Sequence, residues 1–493
     1  MEPRIVSAGT PFRRRLLLRT LAIGLGMLPC VIAEWVCVIG DWGSPELQTD
    51  PYVGFASQRP LFVKNEAGDR YEIASNRYLC FQPDSFDARK SDHEFRVFCL
   101  GGSTVQGRPF SIETSFTTWL ELSLRALDPG RSWRVVNCGG VSYASYRLVP
   151  ILQEILSRYE PDLIVVYTGH NEFLEDRTYD QLKRQPMWLK HMVERAMRWR
   201  IFNVARRAMT RWNESKSDSE DRADALLPEE VATRLDYEGG LAKFVRDPVW
   251  QAGVVQHLTF NLERMLRLCK EADVPCWLVD PIYNLRDCPP FKSAHRERLT
   301  GEEKAHWVEL RDEAGKLYPT NMSRAIRLLE EARRIDDQHA GLHYDLGKAY
   351  EATHQYEKSL NSYRRAKDLD ICPLRATEPV VASIRRVADR FLVPLIPVHR
   401  VFHERSRQGI PGDRLMADHV HPSMEGHHIV AELLVDQFVE SEFVGPPPSR
   451  WEDRRDKLYQ QHTQSLPTSY YLKGRQNLEQ LRAWSRGRAA VWP

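Results

Sequence analysis

Net charge is almost absent from this sequence. Its 69 lysines and arginines and its 67 aspartates and glutamates leave a formal charge of +2 over 493 residues. A protein that attracts nucleic acid through its overall field needs a large excess of basic residues. The balance therefore argues against nucleic acid as a partner, and local groups of charges are more informative than the total.

Cysteine is scarce, and its spacing does not favour metal binding. None of the nine cysteines belongs to a C-x-x-C pair, which argues against a zinc site and against a dense disulfide framework. One or two disulfides among the seven cysteines that follow residue 40 are an open possibility. No motif for a nucleotide or a metal is present, so we predict no cofactor and no metal ligands.

Long apolar runs are also rare, and only one is long enough to span a bilayer. It extends from Thr20 to Gly40 and contains one charged residue, Glu34, and a membrane-spanning helix needs roughly 20 apolar residues. Four arginines lie between residues 13 and 19, and no basic residue follows the run until Arg59. We therefore predict a cytoplasmic tail at 1–15, a signal anchor at 16–40 and the bulk of the chain outside the cytoplasm.

Two other interpretations of this run stay open. One is a buried soluble helix, which the run fits less well. The other is a cleaved signal peptide, because Val31-Ile32-Ala33 has small residues that a signal peptidase recognises. We favour the uncleaved anchor because apolar character continues through Val38 and Ile39.

Beyond the anchor, short apolar runs alternate with helical patterns. We predict that residues 44–94 form a lead-in segment that packs on the main domain and contains a hairpin at "NEAGDRYE". Strands separated by helices indicate a three-layer α/β/α fold with a parallel sheet, in two parts at 95–300 and 373–445. The predicted strands are Arg96–Leu100, Arg134–Val136, Leu163–Tyr167, Val274–Val279 and Val393–Val398.

An insertion at about 175–247 interrupts the first part of this core. Its residues 188–212 carry a broad apolar face flanked by lysines and arginines. Such a helix packs on its own domain or rests on a membrane surface, and both interpretations stay open.

A second insertion, at 301–372, has a period of 34 residues. The small, large and small residues Ala325, Leu329 and Ala332 recur as Ser359, Tyr363 and Ala366. This is the length of a tetratricopeptide repeat, so we predict an inserted all-α segment of such repeats that binds a protein partner. We predict that residues 446–493 form a C-terminal helical tail.

The stretch "VFCLGGSTVQG" ends a predicted strand at two glycines and presents Ser103. The simplest interpretation is a tight turn whose serine caps the next helix, predicted at 111–127. A catalytic serine would need a base, a group that orients the base and donors for an oxyanion.

Other strand ends of the predicted sheet supply such groups. "NCGGVSYAS" follows the second strand, and Gly169, His170 and Asn171 follow the third. In "ADHVHPSMEGH", Asp418 precedes His421 by one helical turn and can orient its imidazole. These blocks share one chain order and one edge of the sheet, which makes their combination specific.

In these blocks the sequence resembles the SGNH, or GDSL-like, hydrolase family. The resemblance implies a flavodoxin-like core with Ser103 as nucleophile, His421 as general base, Asp418 as orienting acid and Asn171 as oxyanion donor. Its blocks cover about residues 95–175, 274–286 and 375–440. In the second block, two alignments offer either Gly140 or Ser142 as the backbone donor. The sequence departs from the family where Gly102 replaces the usual aspartate and Glu172 follows Asn171.

The loop "DPIYNLRDCPPFKSAH" follows the fourth strand, so we predict that Asn284 and Arg286 face the substrate. Arg286 suits an anionic or sugar-derived group, and an ion pair with Asp287 that secures the loop is an equal alternative.

The predicted activity is hydrolysis of an acyl ester, with carbohydrate O-acetyl groups as one substrate class. An O-acyltransferase is an open alternative because it shares the first half-reaction. A non-enzymatic envelope scaffold built on the repeats is a second open alternative. An anchor combined with such repeats resembles a group of bacterial envelope proteins, which implies a single-pass protein of the cytoplasmic membrane with a periplasmic body.

The predicted topology has a direct test. Alkaline phosphatase fused after about residue 60 should be active, because the arginines flank only the N-terminal side of the apolar run. Reporter activity in intact cells is the measurement. A silent phosphatase together with an active cytoplasmic reporter at the same position would reverse the topology.

Overall fold

A five-stranded parallel sheet organises the main body of the computed structural model. The structure describes residues 26, 28–40, 42, 59–175, 196, 199–202, 204–205, 231, 233–235, 240–318 and 320–488. The chain divides into two compact units, one of residues 1–57 with 178–227 and one of residues 58–177 with 228–493.

In the first unit, residues 28–39 and 200–202 are helical. Glu34, the one acid of the apolar run, accepts the backbone N–H groups of Arg200 at 2.8 Å and Ile201 at 2.9 Å. No helix within the described residues combines the length and the apolarity needed to cross a membrane. Residues 16–25 of the predicted anchor and most of the 175–247 insertion lie outside the described residues, so both remain predictions.

The second unit begins with a small antiparallel sheet in the order β1-β2-β3. Its strands are β1 Phe62–Lys64, β2 Arg70–Ile73 and β3 Ser85–Asp87. The β1-β2 pair confirms the hairpin predicted at "NEAGDRYE", with Phe62 opposite Ile73.

The predicted strands of the parallel sheet are all present. They are β4 Glu94–Gly101, β5 Ser132–Gly139, β6 Leu163–Tyr167, β7 Cys276–Val279 and β8 Leu395–Ile396. The order β5-β4-β6-β7-β8 is that of a flavodoxin-like sheet. The chain starts at β4, adds β5 on one side and then continues with β6 on the other. The carboxyl ends of β4 and β6 therefore form the switch point of the topology.

Helices cover both faces of this sheet, which confirms the three-layer α/β/α fold. The helices of the core are α1 Ser103–Gln106, α2 Phe116–Leu127, α3 Ser145–Arg158 and α4 Pro248–Glu271 before β7. Those after the insertion are α9 Glu378–Phe391, α10 Val398–Arg405 and α11 Met424–Glu440. Helices α2 and α11 pack together on one face, and α3, α4 and α9 pack together on the other.

Residues 301–368 form four helices inserted between β7 and β8. These are α5 Gly301–Leu317, α6 Met322–Ile335, α7 Ala340–Ala352 and α8 Tyr356–Asp368. The repeat positions Ala325, Leu329 and Ala332 are buried in their core, and Gly347 lies directly against the Tyr363 ring. The all-α prediction for this segment is confirmed, and its identity as tetratricopeptide repeats stays a prediction.

The predicted C-terminal tail forms two helices, α12 Trp451–Ser465 and α13 Thr468–Arg488. Both contact the core: Tyr459 Oη lies 2.7 Å from Ser123 Oγ on α2, and Tyr470 Oη lies 2.8 Å from Thr114 Oγ1. All nine cysteines are free thiols.

An aromatic cluster attaches the lead-in segment to the parallel sheet. The Phe86 ring on β3 packs edge-on against Phe62 at 5.1 Å, Phe98 at 5.4 Å and Tyr159 at 5.3 Å. Arg96 is stacked on the same ring at 4.9 Å. The packing of residues 59–94 on the core therefore depends on Phe86.

We expect Phe86→Ala to lower the free energy of unfolding by about 3–5 kcal/mol, because it removes a fully buried ring and leaves a cavity. Thermal denaturation measures the change, with Val63→Ala on the exposed side of β1 as the control. Equal midpoints for the two variants would contradict the role of this cluster.

Candidate active site

Ser103 begins α1 immediately beyond the carboxyl end of β4. Gly102 is the N-terminal cap of this helix, and its backbone is extended. A Cβ on Gly101 would lie 2.1 Å from the Tyr167 carbonyl oxygen, so only glycine allows β4 and β6 to approach this closely. The two glycines thus place Ser103 at the switch point.

The Ser103 hydroxyl is not a helix cap. It lies 2.7 Å from Nε2 of His421, 318 positions later in the chain, and it is 7% exposed. Helix α2 is capped instead by Ser115, whose side chain accepts the Thr117 N–H. The interpretation of Ser103 as a capping serine is therefore wrong, and its hydroxyl is directed at a base.

A tight turn at 417–421 holds that base. The Asp418 Oδ1 atom accepts the backbone N–H groups of Val420 at 2.9 Å and His421 at 2.8 Å. The His421 Nδ1–H group donates to Asp418 Oδ2 at 2.6 Å. This bond leaves Nε2 unprotonated and able to accept the Ser103 proton.

Asp418 remains ionised although it is fully buried. Burial by itself raises the pKa of the carboxyl, but His421, His419 and the hydrogen bonds from His421 outweigh burial and lower the pKa well below its usual range. The carboxylate therefore stabilises the imidazolium that forms when His421 takes a proton.

Neutral histidines surround this pair. Burial, with a smaller contribution from the nearby His421, lowers the pKa of His170 to about 3 and that of His419 to about 4. His427, whose Nδ1 accepts the Phe116 N–H at 3.2 Å, has its pKa lowered by burial to about 3. These three imidazoles are uncharged at neutral pH and add no positive charge beside the base.

The structure decides between Gly140 and Ser142 as the backbone donor. The Gly140 N–H group donates to the Gly101 carbonyl at 3.0 Å, within the extension of the sheet. In the described part of the chain, the Ser142 N–H group donates to no protein acceptor, and Ser142 lines the same cavity as Ser103. Ser142 adopts a left-handed backbone with φ of 63°. The N–H of Gly140 is already used, which contradicts its assignment as the donor, and Ser142 is the candidate donor that the geometry leaves.

Asn171 lies beside the Ser103 turn. Its Nδ2 donates to the Tyr143 carbonyl at 3.0 Å, which orients the amide and leaves the second hydrogen available. A Cβ on Gly102 would lie 2.4 Å from this nitrogen. Glycine at position 102 thus makes room for the amide.

Glu172 and Glu175 secure the loop that carries Asn171. Glu172 is fully buried and accepts both the N–H and the Oγ–H of Ser145 at 2.9 Å, at the start of α3. Glu175 forms a two-pronged ion pair with Arg147 at 2.5 and 2.8 Å. The glutamate after Asn171 therefore has a structural role that its sequence position did not reveal.

Asn284 and Arg286 do not face Ser103, so the prediction that they contact the substrate there is wrong. Asn284 is buried, and its Nδ2 donates to Asp413 at 2.8 Å. The Arg286 guanidinium contacts Glu351 of α7 at 2.8 Å and the Arg407 carbonyl at 2.7 Å. The alternative of a loop-securing ion pair is correct in kind, with Glu351 in place of Asp287. Both side chains connect the loop to neighbouring elements.

A cavity of about 340 Å³ opens in front of Ser103. One wall comes from α13, through Asn477, Gln480, Leu481 and Trp484. Their spacing of three and four residues places them on one helical face. From the sequence, this segment is predicted only as part of a helical tail, with no indication of what it covers.

Arg108 is a second lining residue that the sequence analysis missed. It lies five positions after the nucleophile, inside the block that carries the family resemblance. Among the described residues, no group of three or more histidine, cysteine or acidic side chains could hold a metal ion.

These groups converge as a serine nucleophile needs. The hydroxyl, the imidazole and the carboxylate form a continuous hydrogen-bonded chain, and the Ser142 N–H and Asn171 amide lie on the same cavity. This arrangement can deprotonate a hydroxyl as it attacks a carbonyl carbon and can bind the resulting oxyanion.

Comparison with solved structures finds chains that are similar at low sequence identity. The chain is similar to the lipase/acylhydrolase from Enterococcus faecalis, with 10% identity and a TM-score of 0.31 over 72% of this chain and 100% of that one. It is also similar to Axe2, an acetylxylan esterase from Geobacillus stearothermophilus, with 11% identity and a TM-score of 0.30 over 70% and 93% of the two chains. No protein-family model and no curated protein matches the sequence. The role of each side chain therefore follows from the geometry of this site alone.

Proposed function

We propose that the protein is a serine hydrolase that cleaves an acyl ester. The observation that carries the proposal is the 2.7 Å contact between Ser103 Oγ and His421 Nε2, with Asp418 on the opposite side of the imidazole. In the part of the chain that the structure describes, the Ser103 hydroxyl has no hydrogen-bond partner but the base of an oriented Asp-His pair, which is typical of a nucleophile.

The reaction proceeds in two halves. Ser103 Oγ attacks the ester carbonyl carbon while His421 Nε2 takes the hydroxyl proton, and the carbonyl electrons move to oxygen. The Ser142 N–H and the free Asn171 amide hydrogen stabilise this oxyanion. The tetrahedral intermediate then expels the alcohol, which receives the proton from His421. Water, deprotonated by the same imidazole, cleaves the acyl-enzyme and restores Ser103.

An O-acetylated carbohydrate is the substrate class that we propose for this site. The cavity combines amide side chains at Asn171, Asn477 and Gln480 with the Trp484 ring. Amides recognise hydroxyl groups, and an indole offers an apolar face to a sugar ring. Transfer of the acyl group to a second hydroxyl would use the same acyl-enzyme, and added acceptor alcohols in the assay distinguish the two outcomes.

The proposed setting is the outer face of a bacterial cytoplasmic membrane, with the helical insertion α5–α8 as the surface for a protein partner. The one-sided arginines at 13–19 and the 34-residue period support these two parts of the proposal.

We expect Ser103→Ala to abolish ester turnover and to leave the fold intact. Loss of the nucleophile typically lowers kcat on the order of a millionfold, and His421→Ala should cost nearly as much. The double variant should be little worse than either, because the two residues act as a unit. Asp418→Ala should be milder, since a less well oriented imidazole retains some function. Hydrolysis of 4-nitrophenyl acetate by the purified variants is the measurement.

Ser157→Ala, on the exposed surface of α3, is the matched control for these variants. Labelling with a fluorophosphonate gives a second readout that does not require the natural substrate. If wild type and Ser103→Ala hydrolyse the ester equally well, or if the wild type neither reacts with the probe nor turns over, the scaffold interpretation is correct.

We expect log(kcat/KM) to rise with pH with a slope of about 1 on the acid side, because the proposed reaction needs one general base in its unprotonated form. The pKa of Asp418 is lowered, so its carboxylate stays ionised. The lowered pKa values of His170, about 3, and His419, about 4, keep both imidazoles neutral above pH 5. A pH profile of the wild type tests this, and a slope near 2 would show that a second group must also lose a proton.

A further inference from the structure

Arg108 is held beside the nucleophile by the turn that ends α1. Gly107 adopts a left-handed backbone with φ of 94°, and a Cβ there would lie 2.5 Å from the Ser111 carbonyl oxygen. The N–H groups of Gly107 and Arg108 both donate to the Ser103 carbonyl, at 3.1 and 3.2 Å. The position of the Arg108 backbone is therefore tied directly to that of Ser103.

Among the described residues, the Arg108 guanidinium has no ion-pair partner at contact distance, and Asp418 acts on its charge without contacting it. Within the described residues, no carboxylate lies at ion-pair distance from it, and no acceptor forms a hydrogen bond with it. The carboxylate of the triad, Asp418, is already occupied by His421 and two backbone N–H groups. A partly buried arginine without a partner is unusual, because removing this charge from water is costly.

Arg108 also determines the charge of the catalytic cavity. The described lining contains no aspartate, glutamate or lysine. Its two histidines are His421, the base, and His419, which is neutral because burial lowers its pKa to about 4. The described lining thus carries one fixed positive charge beside neutral amides and apolar side chains.

Helix α13 stabilises this segment from the opposite side. Asn477 Nδ2 donates to the carbonyl oxygen of Pro109, the neighbour of Arg108, at 3.0 Å. Arg482 Nε donates to the Ala417 carbonyl at 3.0 Å, next to the turn that carries Asp418 and His421. Both sides of the cavity are therefore preorganised, and the guanidinium lies in a built site.

We propose that Arg108 is a specificity-determining residue that binds an anionic group, such as a carboxylate, on the ester substrate. A guanidinium presents paired donors that match the two oxygens of a carboxylate. An acetylated uronic acid carries this anion on the alcohol part of the ester, and a dicarboxylic half-ester carries it on the acyl part. The inference rests on the proposed ester hydrolysis for its reaction and on the charge of the cavity for its ligand.

A different role for Arg108 would be to adjust the triad electrostatically through Asp418. That role predicts an equal loss for every ester when Arg108 is replaced, because the reacting groups are common to all of them. Recognition of an anion predicts a loss confined largely to charged esters. Paired substrates therefore separate the two roles.

Two pairs of esters test the proposal. Mono-4-nitrophenyl succinate and 4-nitrophenyl acetate differ in charge on the acyl side, and methyl glycosides of O-acetylated glucuronic acid and O-acetylated glucose differ in charge on the alcohol side. We expect the wild type to prefer the anionic member of one pair by roughly 10- to 100-fold in kcat/KM, the size of one charge-assisted interaction. The pair that shows the preference identifies the side of the ester that carries the anion.

Arg108→Gln should reduce this ratio to near 1, and Arg108→Lys should retain part of it, since lysine keeps the charge without the fork. The control is Arg324→Gln on the exposed surface of α6, which should keep the wild-type ratio. Rising salt concentration should weaken the preference of the wild type, and this measurement needs no variant. No charge preference in the wild type, or an equal loss for both members of a pair in Arg108→Gln, would overturn the proposal.

Binding to the inactive Ser103→Ala protein separates this inference from the proposed reaction. Titration calorimetry with methyl glucuronoside, methyl glucoside and succinate should show binding of at least one anion that disappears in Ser103→Ala/Arg108→Gln. If the wild type hydrolyses no ester but an anion binds in this Arg108-dependent manner, the proposed hydrolysis fails and the anion site stands. If esters are hydrolysed but no anion binds, the anion site fails alone.

Discussion

Burying the Asp418 carboxylate would be costly unless each of its oxygens were satisfied. The turn at 417–421 meets this requirement with two backbone N–H groups on one oxygen and the His421 ring on the other. The same bonds determine which nitrogen of His421 carries the proton, so they determine that Nε2 faces Ser103. The geometry of the whole site depends on this one buried charge and its three donors.

The sheet brings the remaining groups to that charge. Because the chain begins at β4 and then builds outward in both directions, the loops after β4, β5 and β6 open at one edge and contribute Ser103, Ser142 and Asn171. Gly101 permits the close approach of β4 and β6, and Gly102 leaves space for the Asn171 amide. The helices α5–α8 are inserted after β7 without disturbing this edge, since β8 still pairs in parallel with β7.

The C-terminal helices convert an exposed sheet edge into a cavity. Helix α13 contributes one wall, and its bonds to Pro109 and Ala417 hold the two catalytic segments from outside the core. The Trp484 ring on this helix lies 5.9 Å from the His419 ring, next to the turn that carries Asp418 and His421. One wall of the cavity therefore comes from a helix more than 300 residues from Ser103 in the chain: Asn477 contacts Pro109 across 368 positions.

The sequence by itself determined the elements and the reacting groups, because both depend on local patterns. Apolar runs marked the five strands, the double glycine marked the turn at Ser103, and the spacing of Asp418 and His421 placed both on one turn. The tertiary structure decided which candidate residues are available to the site, because it determines which backbone and side-chain groups already have hydrogen-bond partners. Gly140 lost its role because the sheet uses its N–H, and Arg286 lost its role because Glu351 on a distant helix pairs with it. Arg108 and the face of α13 line the cavity because the fold encloses it between segments whose sequences carry no record of each other.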